Sequence, residues 1–371
     1  MTTVREVELS IVALPLVRPF RTSFGTSTEK VCILARVRTD HAEGWGECVA
    51  DDGYPGFSGE WIEGAWALLR DVLAPALLRA GDLEIDGVEG ALAFVRGNPM
   101  AKATLIDAFA DAALRERGLS LASWLGGERD RVACGVSVGI TDTTDELRAQ
   151  VDGYLDEGYL RIKLKIAPGI DVERVGAIRA AHPDIRLSVD ANAAYTIEDV
   201  GVFRALDAFE LLMVEQPLHH EDLVMHAALQ HRIVTSICLD ESIRSAADAA
   251  AAIELGACRI VNIKQGRVGG VLEARRVHDV CRATDVPVWC GGMLETGVGR
   301  ALNLALAALP GFTLPGDTSA SSRYFHEDLT DPFEVAPDGT MAVPRGPGIG
   351  VDPDPDRLAA WTTQRHLVEK E

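Results

Sequence analysis

Apolar and polar positions alternate with period two over residues 4–15 and 30–39, where β-branched residues are frequent, and this spacing predicts two antiparallel strands. Gly44-Trp-Gly-Glu-Cys-Val49 continues the pattern as a third strand, and Pro19-Phe-Arg-Thr-Ser-Phe-Gly25 between the first two reads as a Gly- and Ser-bearing loop. From 59 to about 80 and from 100 to 117 the apolar positions recur at helical spacing with Ala-rich filling. These elements form an α+β capping domain over residues 1–127, ending near Leu125-Gly-Gly127. Short apolar runs then follow one another: a first strand at 132–138, five more along the middle of the chain, a seventh at 286–290 and an eighth at 312–315. They define a second domain over 128–330. The turn-rich tail, 331–371, carries Pro344-Arg-Gly-Pro-Gly-Ile-Gly350 and returns to complete the first domain.

The five middle runs share one property: each ends on a functional side chain. These are Lys165, Asp190, Glu215, Asp240 and Lys264, at intervals of 25, 25, 25 and 24 residues. A strand, a crossover helix and two short loops need about that many residues, so the period reads as consecutive βα units. Repeated parallel units close into a (β/α) barrel with its chemistry at the C-terminal strand ends. Three carboxylates flanked by lysines therefore converge on one mouth. The fold class is α/β: a modified (β/α)8 barrel, of (β/α)7β form, under an α+β cap.

Length and composition agree with this division. The chain has 371 residues, enough for one barrel and a smaller domain, and 47% hydrophobic residues supply a large core. No apolar run reaches the roughly 20 residues of a membrane span, and no signal peptide is visible at the N-terminus. A formal charge of −20 argues against nucleic acid or an anionic membrane as a partner. The seven cysteines stand singly, with no Cys-x-x-Cys pair, and read as reduced, buried thiols in a cytoplasmic protein.

Asp190, Glu215 and Asp240 end three adjacent parallel strands about 4.8 Å apart, close enough to reach one ion. An isolated strand-end Asp more often caps the next helix; three at one spacing beside lysines read as a metal site. Oxygen donors without imidazole or thiolate favour a hard divalent cation, Mg²⁺ by default, with Mn²⁺ or another divalent ion as a substitute. Lys163 and Lys165 lie on one face of one strand, because Ile162, Leu164 and Ile166 occupy the face toward the helices. Two buried ammoniums so close should repel, lowering the pKa of at least one toward that of a useful base. Lys264 ends the sixth strand, across the mouth. His219-His220-Glu221-Asp222 also contains metal-ligand chemistry, but adjacent histidines on one element diverge, so it reads as a solvated loop or helix start. These parts together suit abstraction of a proton next to a carboxylate, with a metal stabilising the enediolate and a lysine taking the proton; this pairing of Lys with Mg²⁺ is the general pattern of enolase-type sites.

On Lys163-Leu-Lys165 with the three carboxylates, the chain resembles the enolase superfamily in its muconate-lactonizing subgroup, over both domains. Flanking stretches resemble more narrowly the N-acylamino-acid racemases that are also o-succinylbenzoate synthases: Gly44-Trp-Gly-Glu-Cys48, Leu239-Asp-Glu-Ser242, Val261-Asn-Ile-Lys264, Gly291-Gly-Met-Leu-Glu-Thr-Gly297 and Leu314-Pro-Gly-Asp-Thr-Ser319 among them. The resemblance implies Asp190, Glu215 and Asp240 as metal ligands, Lys165 and Lys264 as acid/base catalysts on opposite substrate faces, and Lys163 as the cation assisting the enediolate. It implies Asn192 beside the ligands at the substrate surface. Ser137 and the backbone at Gly292 and Met293 would touch the acyl arm, and Phe20 would belong to a lid. Ser137 reads equally as a barrel-interior hydroxyl and Phe20 as an exposed aromatic. The substrate is expected to be a small-molecule carboxylate and the protein a homo-oligomer, dimer to octamer. Dipeptide epimerases of this superfamily usually end strand eight with Asp-x-Asp to hold a free ammonium. Asp317-Thr-Ser319 offers one carboxylate, which suits an N-acylated nitrogen. Dehydration and racemisation use the same residues and stay open at this point; a muconate-type cycloisomerase or dipeptide epimerase is the alternative. A catalytically dead barrel would have lost ligands or lysines, and all six are present.

Overall fold

The chain enters through a long hairpin. In the computed structural model, which describes residues 1–22, 25–54 and 56–370, strand β1 (Glu6–Arg21) pairs antiparallel with β2 (Thr26–Arg38), and β2 with β3 (Glu43–Cys48). The hairpin is longer than the alternation predicted. Phe20 lies within β1, opposite Ser27, and not in a loop, because the strands pair again beyond the register shift after Pro15. Ser23 and Phe24 of the expected loop lie outside the described residues.

Helices α1 (Ile62–Leu68) and α2 (Ala74–Arg79) are joined by a single π-helical stretch, and α3 (Pro99–Glu116) packs on β3. Two glycines make that contact possible: a Cβ on Gly44 would meet the backbone of Ala108 and Ala112, and one on Gly46 the carbonyl of Thr104. The Ala-rich face of α3 answers them with small side chains. Glu60 accepts hydrogen bonds from the Met100 and Ala101 N–H groups at 2.7 and 3.0 Å, supplying the helix N-terminus with an anion.

Seven parallel strands follow, β4 (Gly135–Val138), β5 (Arg161–Lys165), β6 (Leu187–Asp190), β7 (Val214–Glu215), β8 (Ile237–Leu239), β9 (Ile260–Ile263) and β10 (Val288–Cys290), paired in that order. The run expected as one strand at 132–138 splits at Cys134, since Arg131–Ala133 pairs antiparallel with Thr340–Ala342 instead. The eighth strand is not regular. Pro315 has no N–H to donate, and the barrel closes through single bridges, Val288 to Phe312 and Cys134 to Gly316. Gly316 lies so close to β10 that a Cβ there would come 2.8 Å from the Cys290 carbonyl. The last strand, β11 (Thr362–Glu369), pairs antiparallel with β1 and completes the cap sheet. Among the described residues no helix is long and apolar enough to cross a membrane.

Buried carboxylates of the cap hold two barrel helices by their N-termini. Glu47, in β3, accepts from Thr296 N (3.1 Å), Thr296 Oγ1 (2.7 Å) and Gly299 N (2.9 Å) at the start of the helix Gly297–Ala307. Asp107, in α3, accepts at Oδ1 from Val271 N at 2.9 Å, the first residue of the helix Val271–Ala283. Its other oxygen, Oδ2, is buried without a partner, and burial pushes the Asp107 carboxyl up to about 7. The folded state therefore holds this proton more tightly than the unfolded chain, whose Asp titrates near 3.9. The associated stability is complete below about pH 4 and is lost as pH rises toward about 7. Asp107→Asn removes the titration and keeps the acceptor. Its stability relative to wild type should rise by roughly 1–3 kcal/mol between about pH 5 and about pH 8 in denaturant melts. A difference independent of pH would contradict this.

Candidate active site

The period of two along each strand sends charged side chains inward in layers. On β5, Arg161, Lys163 and Lys165 all face the barrel interior, while Ile162 and Leu164 are buried against the helices. Neighbouring strands add Ser188 and Asp190 from β6, Glu215 from β7, Asp240 just past β8, Asn262 from β9 and Lys264 just past it. In register, Lys165 stands beside Asp190 and Asp190 beside Glu215. Trp289 closes the floor: the Arg161 guanidinium and the Lys163 ammonium lie 4.6 and 4.7 Å from its ring centroid.

Each lysine is held by carboxylates. Lys163 Nζ meets Asp317 Oδ2 at 2.7 Å, Glu215 Oε2 at 2.8 Å and Asp190 Oδ2 at 3.3 Å. Lys165 Nζ donates to Asp190 Oδ2 (2.7 Å) and Asn192 Oδ1 (2.6 Å). Lys264 Nζ donates to Asp240 Oδ2 at 2.7 Å. The expected repulsion between neighbouring ammoniums does not set the result for Lys163. Burial alone would lower its pKa, but Asp317, Glu215 and Asp190 raise it well above the ordinary value. Lys264 is also raised, because Asp240 outweighs burial. Glu215 is pushed up to about 8 by burial and by Asp190, and Glu241 to about 7 by burial and by Asp240. Asp190 lies below the usual range because Lys165 and Lys163 outweigh its burial.

Lys165, Asn192, Lys264, Gly292, Met293 and Phe20 line a single cavity of about 290 Å³ between barrel and cap. Lys163, Asp190, Glu215 and Asp240 form the buried layer beneath it. Ser137 does not line the cavity; it pairs in register with Lys163, and its hydroxyl is buried without a partner. The Met293 carbonyl accepts a hydrogen bond at 3.0 Å from Lys30, a buried lysine of β2.

Several members of the site were not anticipated. Arg161 and Asn262 sit two residues before Lys163 and Lys264, so the same alternation pointed to them. Arg161 is fully buried, pairs with Asp317 and donates from Nε to the Pro315 carbonyl at 2.9 Å. Asn262 Nδ2 donates to Glu215 Oε1 at 2.7 Å. Arg267 pairs with Asp240 and donates to the Asn262 and Ile243 carbonyls. Asp317, the single carboxylate of the eighth run, is committed to Arg161 and Lys163.

An all-oxygen donor set at Asp190, Glu215 and Asp240 suits a hard divalent cation. Glu241 adds to the fit: its Oε1 accepts from Asn192 Nδ2 at 2.9 Å, while Oε2 is buried with no partner. The three carboxylates are drawn to lysines rather than to one another. The one trio of potential ligands whose atoms all lie within 4.8 Å, among the described residues, is His219, His220 and Glu221 on the turn after β7. The two imidazoles do not diverge there, as adjacent strand residues would; the turn stacks them with ring centroids 4.4 Å apart.

A barrel with paired lysines and strand-end carboxylates, capped by an α+β domain, defines an acid–base enzyme of the enolase superfamily, whose members depend on a divalent metal. The chain belongs to the mandelate racemase / muconate lactonizing enzyme family: residues 5–126 match the model of its N-terminal domain and residues 146–357 the enolase C-terminal domain-like model. It is similar to an N-succinylamino acid racemase from Amycolatopsis sp, with 57% identity covering 97% of each chain. It is also similar to an o-succinylbenzoate synthase from Geobacillus kaustophilus, 46% identical over 98% of this chain and 97% of the relative. An enolase-superfamily member from Listeria innocua superposes with a TM-score of 0.95 at 37% identity, covering 100% of both chains. An L-Ala-D/L-Glu epimerase from Bacillus subtilis and a muconate lactonizing enzyme from Pseudomonas fluorescens are more distant, at 27% and 26% identity.

The buried pairing of Arg161 with Asp317 carries a prediction of its own. Asp317→Asn leaves a fully buried guanidinium without its counter-charge and should cost about 3–5 kcal/mol of stability. Adding Arg161→Met should restore at least about 1 kcal/mol of that loss. Urea melts of the two single variants and the double variant measure the coupling, and strict additivity would contradict it.

Proposed function

We propose that this enzyme removes the proton α to a substrate carboxylate, making o-succinylbenzoate by syn-dehydration and racemising N-succinylamino acids by a two-lysine 1,1-proton transfer. The observation that carries the reading is the placement of Lys165 and Lys264 in one cavity, at the ends of β5 and β9, each with its ammonium on a different carboxylate. Asp190, Glu215 and Asp240 would hold a divalent cation, Mg²⁺ by preference, which supplies positive charge for the substrate carboxylate as its α-proton leaves.

This chain's residues do the rest. Lys165 takes the α-proton on one face, oriented by Asn192, and in dehydration returns it to the departing hydroxyl. Lys264 delivers or removes a proton on the other face. Lys163, buried among three carboxylates over Trp289, is a fixed positive charge beneath the reacting carboxylate and not a proton carrier. Asp317 bears on substrate choice. Its carboxylate already serves Arg161 and Lys163, so it has little attraction left for a free α-ammonium, and an acylated, uncharged nitrogen fits the site. That favours N-acylamino acids over dipeptides. Seven free, buried cysteines support a reducing, cytoplasmic setting. The homo-oligomer belongs to the same proposal.

The test is Lys264→Ala in D₂O with each enantiomer of N-succinylphenylglycine. Racemisation of both should fall by at least about 10²-fold, the usual weight of a general acid or base. The enantiomer that faces Lys165 should still exchange its α-hydrogen with retention. Racemisation at near the wild-type rate would exclude the two-lysine assignment.

A further inference from the structure

The two lysines facing the cavity are held differently. Lys165 is fixed by Asp190 and Asn192, both of the barrel. Lys264 is fixed by Asp240 of the barrel, but its ammonium also lies 4.3 Å from the ring centroid of Phe57, which the cap contributes. Phe57 belongs to the segment between β3 and α1. At the start of that segment Asp51 Oδ2 accepts from the backbone N–H groups of Gly56, Phe57 and Ser58 at 2.9, 2.8 and 3.0 Å, so a carboxylate fixes the backbone beneath the ring. Phe57 lines both the 290 Å³ cavity and a neighbouring one of about 970 Å³, and is part of the wall between them.

An ammonium over an aromatic face is attracted by the negative face of the ring, an effect of about 2- to 30-fold on an equilibrium. The geometry points to Phe57 as a positioning residue for Lys264, through which the cap sets the reactivity of one substrate face independently of the other. The inference rests on the two-lysine reading above and deepens it. Dehydration on one face needs only Lys165 as proton carrier, whereas racemisation needs both lysines. A ring that steadies Lys264 alone therefore sets the balance between the two activities.

The experiment follows deuterium incorporation at the α-carbon for each enantiomer of N-succinylphenylglycine separately, in the full-length, Mg²⁺-loaded enzyme. Lys165→Ala and Lys264→Ala identify which enantiomer presents its proton to which lysine. Phe57→Leu removes the ring and keeps apolar bulk; Phe57→Tyr keeps the ring. In Phe57→Leu the kcat for exchange at the Lys264 face, relative to that at the Lys165 face, should fall by about 3- to 30-fold, and in Phe57→Tyr the ratio should stay near wild type. A rise in KM for both enantiomers with an unchanged ratio is what a plain wall residue would give, and overturns the inference. Equal ratios in the Leu and Tyr variants overturn it as well. A second readout needs no turnover: brief acylation with a small anhydride, followed by mass spectrometry of the Lys264 and Lys165 peptides. The Lys264-to-Lys165 labelling ratio should rise at least about threefold in Phe57→Leu and not in Phe57→Tyr. If the wild-type enzyme exchanges neither enantiomer, the two-lysine reading fails by itself, and an unchanged labelling ratio then overturns the Phe57 contact separately.

Discussion

Charge buried inside a barrel must be neutralised where it lies, because water cannot do it. That constraint organises this molecule. Lys163, Lys165, Lys264, Arg161 and Arg267 each have a carboxylate within hydrogen-bond reach, and those carboxylates come from other strands or the segments that follow them. The strand pleat puts the groups in layers, and the parallel register puts opposite signs side by side, as with Lys165 beside Asp190. The floor of the site, Arg161, Lys163 and Asp317 against Trp289, is closed on itself. The upper layer, where Lys165 and Lys264 meet the cavity, has partners that a substrate and a cation can compete for. Rigidity below and exchangeable pairing above are what a site for proton abstraction next to a carboxylate requires.

The cap is bound to this arrangement by the same means. Glu47 and Asp107 place buried carboxylates at the N-termini of two barrel helices, Lys30 of β2 reaches the Met293 carbonyl, and Phe57 lies over Lys264. The cap thus reaches Lys264 and the loop at Gly292 and Met293, while Lys165 is held from within the barrel. The two sides of the cavity, at Lys165 and at Lys264, therefore have different surroundings.

Much of this was legible along the chain. The strand-end ladder from Lys165 to Lys264 announced the barrel because one side chain per βα unit repeated at a nearly constant interval. Extending the same alternation one step back would have given Arg161 and Asn262. Other features left no local trace. The eighth run carried one local warning, Pro315 with no N–H to donate, but the close approach of Gly316 to the Cys290 carbonyl is a tertiary demand invisible there. His219 and His220 stack because they occupy a turn, where neighbouring side chains need not part. Asp317 read only as the single carboxylate of the eighth run, and its pairing with Arg161 and Lys163 had no local sign. Phe57 carries no pattern at all, since its partner is more than two hundred residues away on another domain.

The central claim is that Asp190, Glu215 and Asp240 are a cation site whose lysine partners yield when the ion arrives. A crystal grown with Mn²⁺ and measured for anomalous scattering tests it most directly. The account predicts a strong anomalous peak among these three carboxylates, with Lys165 and Lys264 released from Asp190 and Asp240 into the cavity. A peak only at His219, His220 and Glu221, with the lysine–carboxylate pairs intact, would contradict it.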